Sequence, residues 1–167
     1  MSVFSLPEPL VPSVFSQKAL YTPKPRVTLY CALAISVPKF LFPKPPGKLP
    51  ARCDVPTFFA ATYFSDDEET AIQEFEYRYA PIKHRLWKGA LRLQRCLDLT
   101  HKIILDRLKL DPRFLVEEPY FPWHFVTACA LSGQCDAVCY PSFRGPGVNY
   151  AVFENVRSIV EPFKLVS

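Results

Sequence analysis

The 167-residue chain has no apolar run near the roughly 18 residues that a membrane-spanning helix needs, which on length excludes such a span. Its 6 cysteines include no C-x-x-C pair, so the commonest spacing of a structural zinc site is missing and no metal is expected. No Lys/Arg block of about five or more occurs, and the net charge of +4 is mild. Direct nucleic-acid binding is therefore not expected, although an anionic small molecule would be comfortable. The first residues lack the basic-then-apolar layout of a secretory signal. Gly145-x-Gly147 is no phosphate-binding fingerprint, because no helical pattern follows it.

What is present suits one globular domain with a sizeable core. The composition is 49% hydrophobic and 22% charged, with many aromatics and 18 prolines. Cys31, Cys53, Cys96, Cys129, Cys135 and Cys139 are scattered, mostly in apolar segments, as expected of reduced, buried thiols in a cytoplasmic protein.

The prolines crowd the first 50 residues. Pro7, Pro9 and Pro12 predict an irregular start, held to the surface by Val3, Phe4, Leu10 and Phe15. Arg26 to Val37 reads as a strand, with Val27, Leu29, Cys31, Leu33 and Ile35 on one face. Pro38 to Pro50 carries Lys39, Lys44 and Lys48 among prolines. It is either a solvated connector or a cationic flap over an anionic ligand.

The stretch around residue 65 changes period. Phe58 to Phe64 has strand composition. Ser65 is the expected N-cap of a following helix, with Glu68 closing a capping box and acidic residues crowding the first turn. Ala71, Phe75 and Tyr79 should face the core, with Ile72 flanking. Glu74 stands beside that stripe. It is either an ordinary boundary carboxylate or an acid whose partial burial tunes it for reaction.

Pro81 stops the helix. The segment from Ile82 to Leu99 holds Leu86, Trp87, Leu91, Leu93 and Leu97 on no single period, and reads as extended, ending in a strand at Leu93 to Leu99. Asp98 or Thr100 should cap a helix from His101 to Leu108, with Ile104, Leu105 and Leu108 inward. A second helix follows Pro122, burying Phe125, Ala128 and Cys129, and ends at Gly133. Asp136 to Tyr140 and Asn149 to Phe153 read as strands around a turn at 141–147, and Val156 to Val160 as a third. Ser142, where a strand meets the turn, either satisfies backbone groups or faces a ligand.

Three pieces in this order resemble the RES family, named for its Arg, Glu and Ser. The first is Arg52-Cys53-Asp54, then a strand carrying Tyr63, then Glu74 within Thr70-Ala71-Ile72-Gln73-Glu74. The second is Cys96-Leu97-Asp98-Leu99-Thr100, leading into a helix. The third, and most specific, is Asp136-Ala137-Val138-Cys139-Tyr140-Pro141-Ser142-Phe143-Arg144-Gly145-Pro146-Gly147, followed by Asn149 to Phe153.

The resemblance implies an α+β fold, a small mixed domain similar to ADP-ribosyltransferases. It sets residues 1–25 apart as a Pro-rich extension before a single domain over 26–167. It also implies a cleft for NAD, which such proteins consume as substrate. Many bacterial members are toxins neutralised by a cognate antitoxin or immunity protein. By this resemblance Glu74, Tyr63 and Ser142 are the catalytic candidates, and Arg52, Tyr30 and Arg144 the NAD-binding ones. The activity expected is glycohydrolase or phosphorylase cleavage of the nicotinamide–ribose bond. The alternatives are ADP-ribosyl transfer to a macromolecule, or a binding protein on the same scaffold. The family usually places an Arg directly after the Tyr of its first strand, and here Cys31 follows Tyr30. The loop lysines are expected to supply the missing charge. Arg52, Tyr63, Glu74 and Ser142 are expected to converge on one cleft.

Overall fold

The computed structural model describes residues 12–37, 53, 61–115, 121–153 and 159–166. The lysine-bearing loop, Arg52, Phe58 and Phe59, and the first part of the strand expected from Val156 lie outside the described residues.

Two short 3-10 turns, Pro12–Ser16 and Lys18–Leu20, lead into strand β1, Tyr21–Ala34. Strand β2, Ala61–Ser65, is followed by helix α1, Glu68–Tyr79, and by the long strand β3, His84–Asp98. Helices α2, Lys102–Leu108, and α3, Phe121–Ser132, come next. Strands β4, Ala137–Pro141, β5, Val148–Phe153, and β6, Ile159–Leu165, complete the chain. The fold is a small mixed α+β domain.

The strand order β1-β2-β5-β4-β3 returns to β1 through a β1–β3 ladder, so the sheet closes on itself, with β6 added along β3. The interior of this ring is apolar: Leu29 and Cys31 of β1, Phe64 of β2, Leu91 and Leu93 of β3, Cys139 of β4 and Tyr150 and Val152 of β5. Outside it, α2, α3 and the first 3-10 turn cover the β2–β5–β4 face in a second cluster centred on Trp123, Leu97 and Phe153. Helix α1 covers the outer side of β1 and β3 through Ala71, Phe75, Ala32 and Leu86. All six cysteines are buried and none is in a disulfide.

Phe15 ties the first segment to the domain as expected: it is fully buried, laid under α3 by the 3-10 turn. Val3, Phe4 and Leu10 lie outside the described residues. Several other expectations are corrected. Strand β1 starts at Tyr21, five residues before Arg26, since Tyr21 to Lys24 pair with Leu97 to Leu93 of β3. Val27 to Leu33 do line the ring, but Ile35 is exposed because the strand stops at Ala34.

Ser65 does not cap α1. It is the last residue of β2, and Asp67 Oδ2 accepts the Thr70 N–H instead. Tyr79 is exposed and only leans on the edge of Phe75.

Strand β3 is one continuous strand rather than a late one. The missing period has a cause: the register against β1 shifts twice between Cys96 and Leu91. The shift between Leu93 and Cys96 adds a residue to β3 and flips its faces, so Leu93 and Cys96 both face the ring while Leu97 faces outward; the other adds a residue to β1.

Neither Asp98 nor Thr100 caps α2. Its N-cap is His101, which makes no side-chain capping bond. In α3, Ala128 is exposed and Phe125 half-buried, whereas Trp123, Val126, Cys129 and Ala130 are buried. A helix apolar all round carries no stripe to choose between faces. Gly133 follows α3, yet the left-handed residue is Gln134, with φ 58°. Gly133 is needed for space: a Cβ there would lie 2.3 Å from the Phe15 carbonyl oxygen.

Candidate active site around Glu74

One row of residues crosses the outer face of the ring. Tyr30 of β1 opposes Ser65 of β2, Ser65 opposes Asn149 of β5, and Asn149 opposes Tyr140 of β4. Directly opposed residues point to the same face of a sheet, so Tyr30, Ser65 and Asn149 share a side. Glu74 reaches this row from α1.

Its Oε1 accepts hydrogen bonds from Ser142 Oγ at 2.8 Å and from Asn149 Nδ2 at 2.7 Å. Its Oε2 pairs with Arg144 Nη1 at 3.3 Å. The Glu74 side chain is about a quarter exposed, so the carboxylate sits at the lip of the fold.

Ser142 does both things that its position allows. Its Oγ accepts the backbone N–H groups of Arg144 and Gly145 at 3.1 and 3.2 Å, which leaves its proton for Glu74. Arg144 lays its guanidinium over the Tyr77 ring, 3.6 Å from the centroid.

The turn that carries Ser142 and Arg144 is latched to the start of α1. Gly147 N donates to Thr70 Oγ1 at 2.8 Å, and Val148 N donates to Asp66 Oδ1 at 2.7 Å. Thr70 Oγ1 in turn donates to Asp67 Oδ2. The fit requires glycine: a Cβ on Gly145 would lie 2.4 Å from Thr70 Oγ1. The acidic first turn of α1 thus does more than favour the helix dipole, because it also fixes the distance between Glu74 and Ser142.

Of the residues singled out in the sequence, Glu74, Ser142 and Arg144 are brought together. Tyr30 stands one strand from Ser65 on the same face, packed against the α1 cluster, with Lys88 Nζ 5.4 Å from its ring centroid. Tyr63, two residues before Ser65 on that face, turns its hydroxyl to accept the N–H of Cys53 at 2.8 Å. That ties it to the neighbour of Arg52, which itself lies outside the described residues. Cys31 points the other way, into the ring interior, so a longer cationic side chain at 31 would be buried among Leu29, Leu91 and Leu93 rather than aimed at the site. Arg26 pairs with Glu161 of β6.

Two members of the network were not anticipated. Ser65 was expected as a cap, and Asn149 only as the start of a strand. Asn is a poor strand residue, and its presence in Val-Asn-Tyr-Ala-Val-Phe was the available signal.

The RES domain sequence pattern matches residues 37–163. No curated protein matches the chain. Among solved structures, a chain of the M. tuberculosis MbcT–MbcA toxin–antitoxin complex superposes with a TM-score of 0.75 over 95% of this chain and 92% of that one, at 18% identity. At that identity the likeness speaks for the fold. No helix among the described residues is long and apolar enough to cross a membrane. With more than half of its length covered by the family pattern, the chain belongs to the RES domain family.

Proposed function

We propose that this protein is an NAD-consuming enzyme that breaks the bond between nicotinamide and ribose. The single observation that carries the reading is the Glu74 carboxylate at the lip of the fold, with Oε1 fixed by Ser142 and Asn149 and Oε2 facing the partly exposed side chain of Arg144. In NAD the nicotinamide nitrogen is cationic. As the glycosidic bond breaks, its electron pair goes to that nitrogen, nicotinamide leaves neutral, and positive charge develops on the ribose. No strong general acid is needed. A carboxylate held beside the ribose stabilises that charge in the transition state, where a preorganised group is worth most. Water or inorganic phosphate then adds to the ribose carbon and gives up a proton.

Arg52 and Arg144 are the proposed pyrophosphate partners, and Tyr63 and Tyr30 the walls at the ribose–nicotinamide end. The superposed chain comes from a toxin–antitoxin complex, which supports reading this protein as a toxin with a cognate neutralising partner. Transfer of the ADP-ribose to a macromolecule is the alternative outcome, read as label retained on protein or nucleic acid.

The test is nicotinamide release from NAD by the purified protein. Glu74→Gln keeps the volume and one acceptor, and should slow cleavage by about 10²-fold or more while NAD still binds. Arg52→Ala should weaken binding instead, because the pyrophosphate charge is present in both ground and transition states. Glu76, exposed on another face of α1, is the control. Equal losses in Glu76→Gln and Glu74→Gln, or none in either, would remove Glu74 from the chemistry.

A further inference from the structure

A polar side chain buried in a sheet is costly unless both its donor and its acceptor are satisfied. Asn149 is 8% exposed, in a strand otherwise made of Val148, Tyr150, Ala151, Val152 and Phe153. Both ends of its amide are accounted for: Nδ2 donates to Glu74 Oε1 at 2.7 Å, and Oδ1 accepts the Ser65 hydroxyl at 2.7 Å. The orientation follows from charge. An ionised carboxylate only accepts, so the amide must turn its NH2 to Glu74 and its carbonyl to Ser65.

The result is asymmetric. Oε1 takes two neutral donors at 2.7 and 2.8 Å, one from buried Asn149 and one from Ser142. Oε2 meets Arg144 at 3.3 Å, from a side chain 28% exposed and resting on an exposed tyrosine. The terminal torsion of a glutamate is broad and two-fold, so nothing in the residue itself decides which oxygen faces a ligand.

We propose that Asn149, oriented by Ser65, is the positioning residue that ties down Oε1 of Glu74 and thereby presents Oε2 to the substrate. This rests on the reading of Glu74 as the reactive carboxylate. Ser65 and Asn149 stay behind the carboxylate and contact no substrate. They fix its rotation.

The experiment is nicotinamide release from NAD as a function of pH, with the folded state of each variant checked by thermal melting. Asn149→Asp conserves shape but puts a second carboxylate against Oε1. The two groups then titrate as a pair with a raised upper apparent pKa. Below it the new carboxyl holds a proton and restores the donor; above it two like charges face each other. The expected result is a fall in kcat of about tenfold or more as pH rises through that value, a limb absent from the wild type, with KM within about threefold.

Ser65→Ala should lower kcat about fivefold at constant KM, and Ser65→Thr, which keeps the hydroxyl, should restore it. If Asn149→Asp does not fold, the Ser65 pair decides alone. A folded Asn149→Asp with the wild-type rate and pH profile, or a Ser65→Ala with wild-type kcat, overturns the inference. Glu74→Gln in the same assay separates the two levels. If it is slow while Asn149→Asp or Ser65→Ala is unaffected, the carboxylate reading stands and the positioning role falls. Wild-type activity in Glu74→Gln, or no nicotinamide release by the wild type, overturns both.

Discussion

Asp98 ends a strand that leads into a helix and Glu74 lies within a helix that follows a strand, and their surroundings differ. Asp98 ends β3 at 2% exposure. Its Oδ2 pairs with Lys24 at 2.9 Å, and its Oδ1 accepts both the N–H and the hydroxyl of Thr100. Burial pushes its carboxyl up, but the hydrogen bonds from Thr100 and Lys24 outweigh that and hold it below the usual carboxylate range. Burial likewise pulls the Lys24 ammonium down, and the bond to Asp98 returns it above its usual value. Each oxygen of Asp98 is taken, and the carboxylate itself is shut away from solvent. Glu74 is likewise bonded on both oxygens, twice on Oε1 and to Arg144 on Oε2, but its own side chain is about a quarter exposed. Multiple hydrogen bonds therefore do not by themselves mark a site. What separates these two carboxylates is access: Glu74 can be reached from solvent and Asp98 cannot.

The comparison can be broken by separating stability from activity. Asp98→Asn should cost about 2 to 3 kcal/mol of unfolding free energy, less than for a fully buried pair because Lys24 can still reach water. Urea denaturation measures it, and NAD cleavage by the remaining folded protein should be unchanged. Glu74→Gln should do the reverse, with cleavage slowed about 10²-fold and stability within about 1 kcal/mol of wild type. Equal stability losses in the two variants would erase the distinction.

A pH series sharpens it. The depressed carboxyl of Asp98 contributes stability above its unfolded pKa of about 3.9 and loses it as pH falls through the lower folded value. The gap in urea midpoint between wild type and Asp98→Asn should thus be constant near neutral pH and narrow below about pH 4. The smallest effect concerns the latch. Asp67→Ala removes the α1 cap and the Thr70 contact, for about 1 kcal/mol. It should also lower kcat by loosening Ser142, which an ordinary cap elsewhere in the chain would not do.

Much of this architecture could be read along the chain. Val27, Leu29, Cys31 and Leu33 alternate without interruption, and they line the ring as alternation requires. Strand β3 could not be read in the same way, because its bulges are set by pairing with Tyr21 to Val27, about seventy residues away in sequence. The cap of α1 was ambiguous for a related reason. Ser65, Asp66 and Asp67 are all good caps, and the choice fell to Asp67 once β5 had claimed Ser65 through Asn149 and Asp66 through Val148.

By itself, the sequence determined the local preferences and the motif order: an acidic helix start after a strand, a Tyr-Pro-Ser-x-Arg turn between two strands, and Glu74 on the edge of an apolar stripe. Those follow from short-range sterics, capping and periodicity, which act over a few residues. Only the tertiary structure decided which polar groups meet. Glu74 lies 68 residues from Ser142 and 75 from Asn149, and their contact depends on the β2–β5 register that sets Ser65 opposite Asn149. A slip of one residue would turn Asn149 into the ring and Tyr150 out toward Glu74, because side chains alternate faces at every step of a strand.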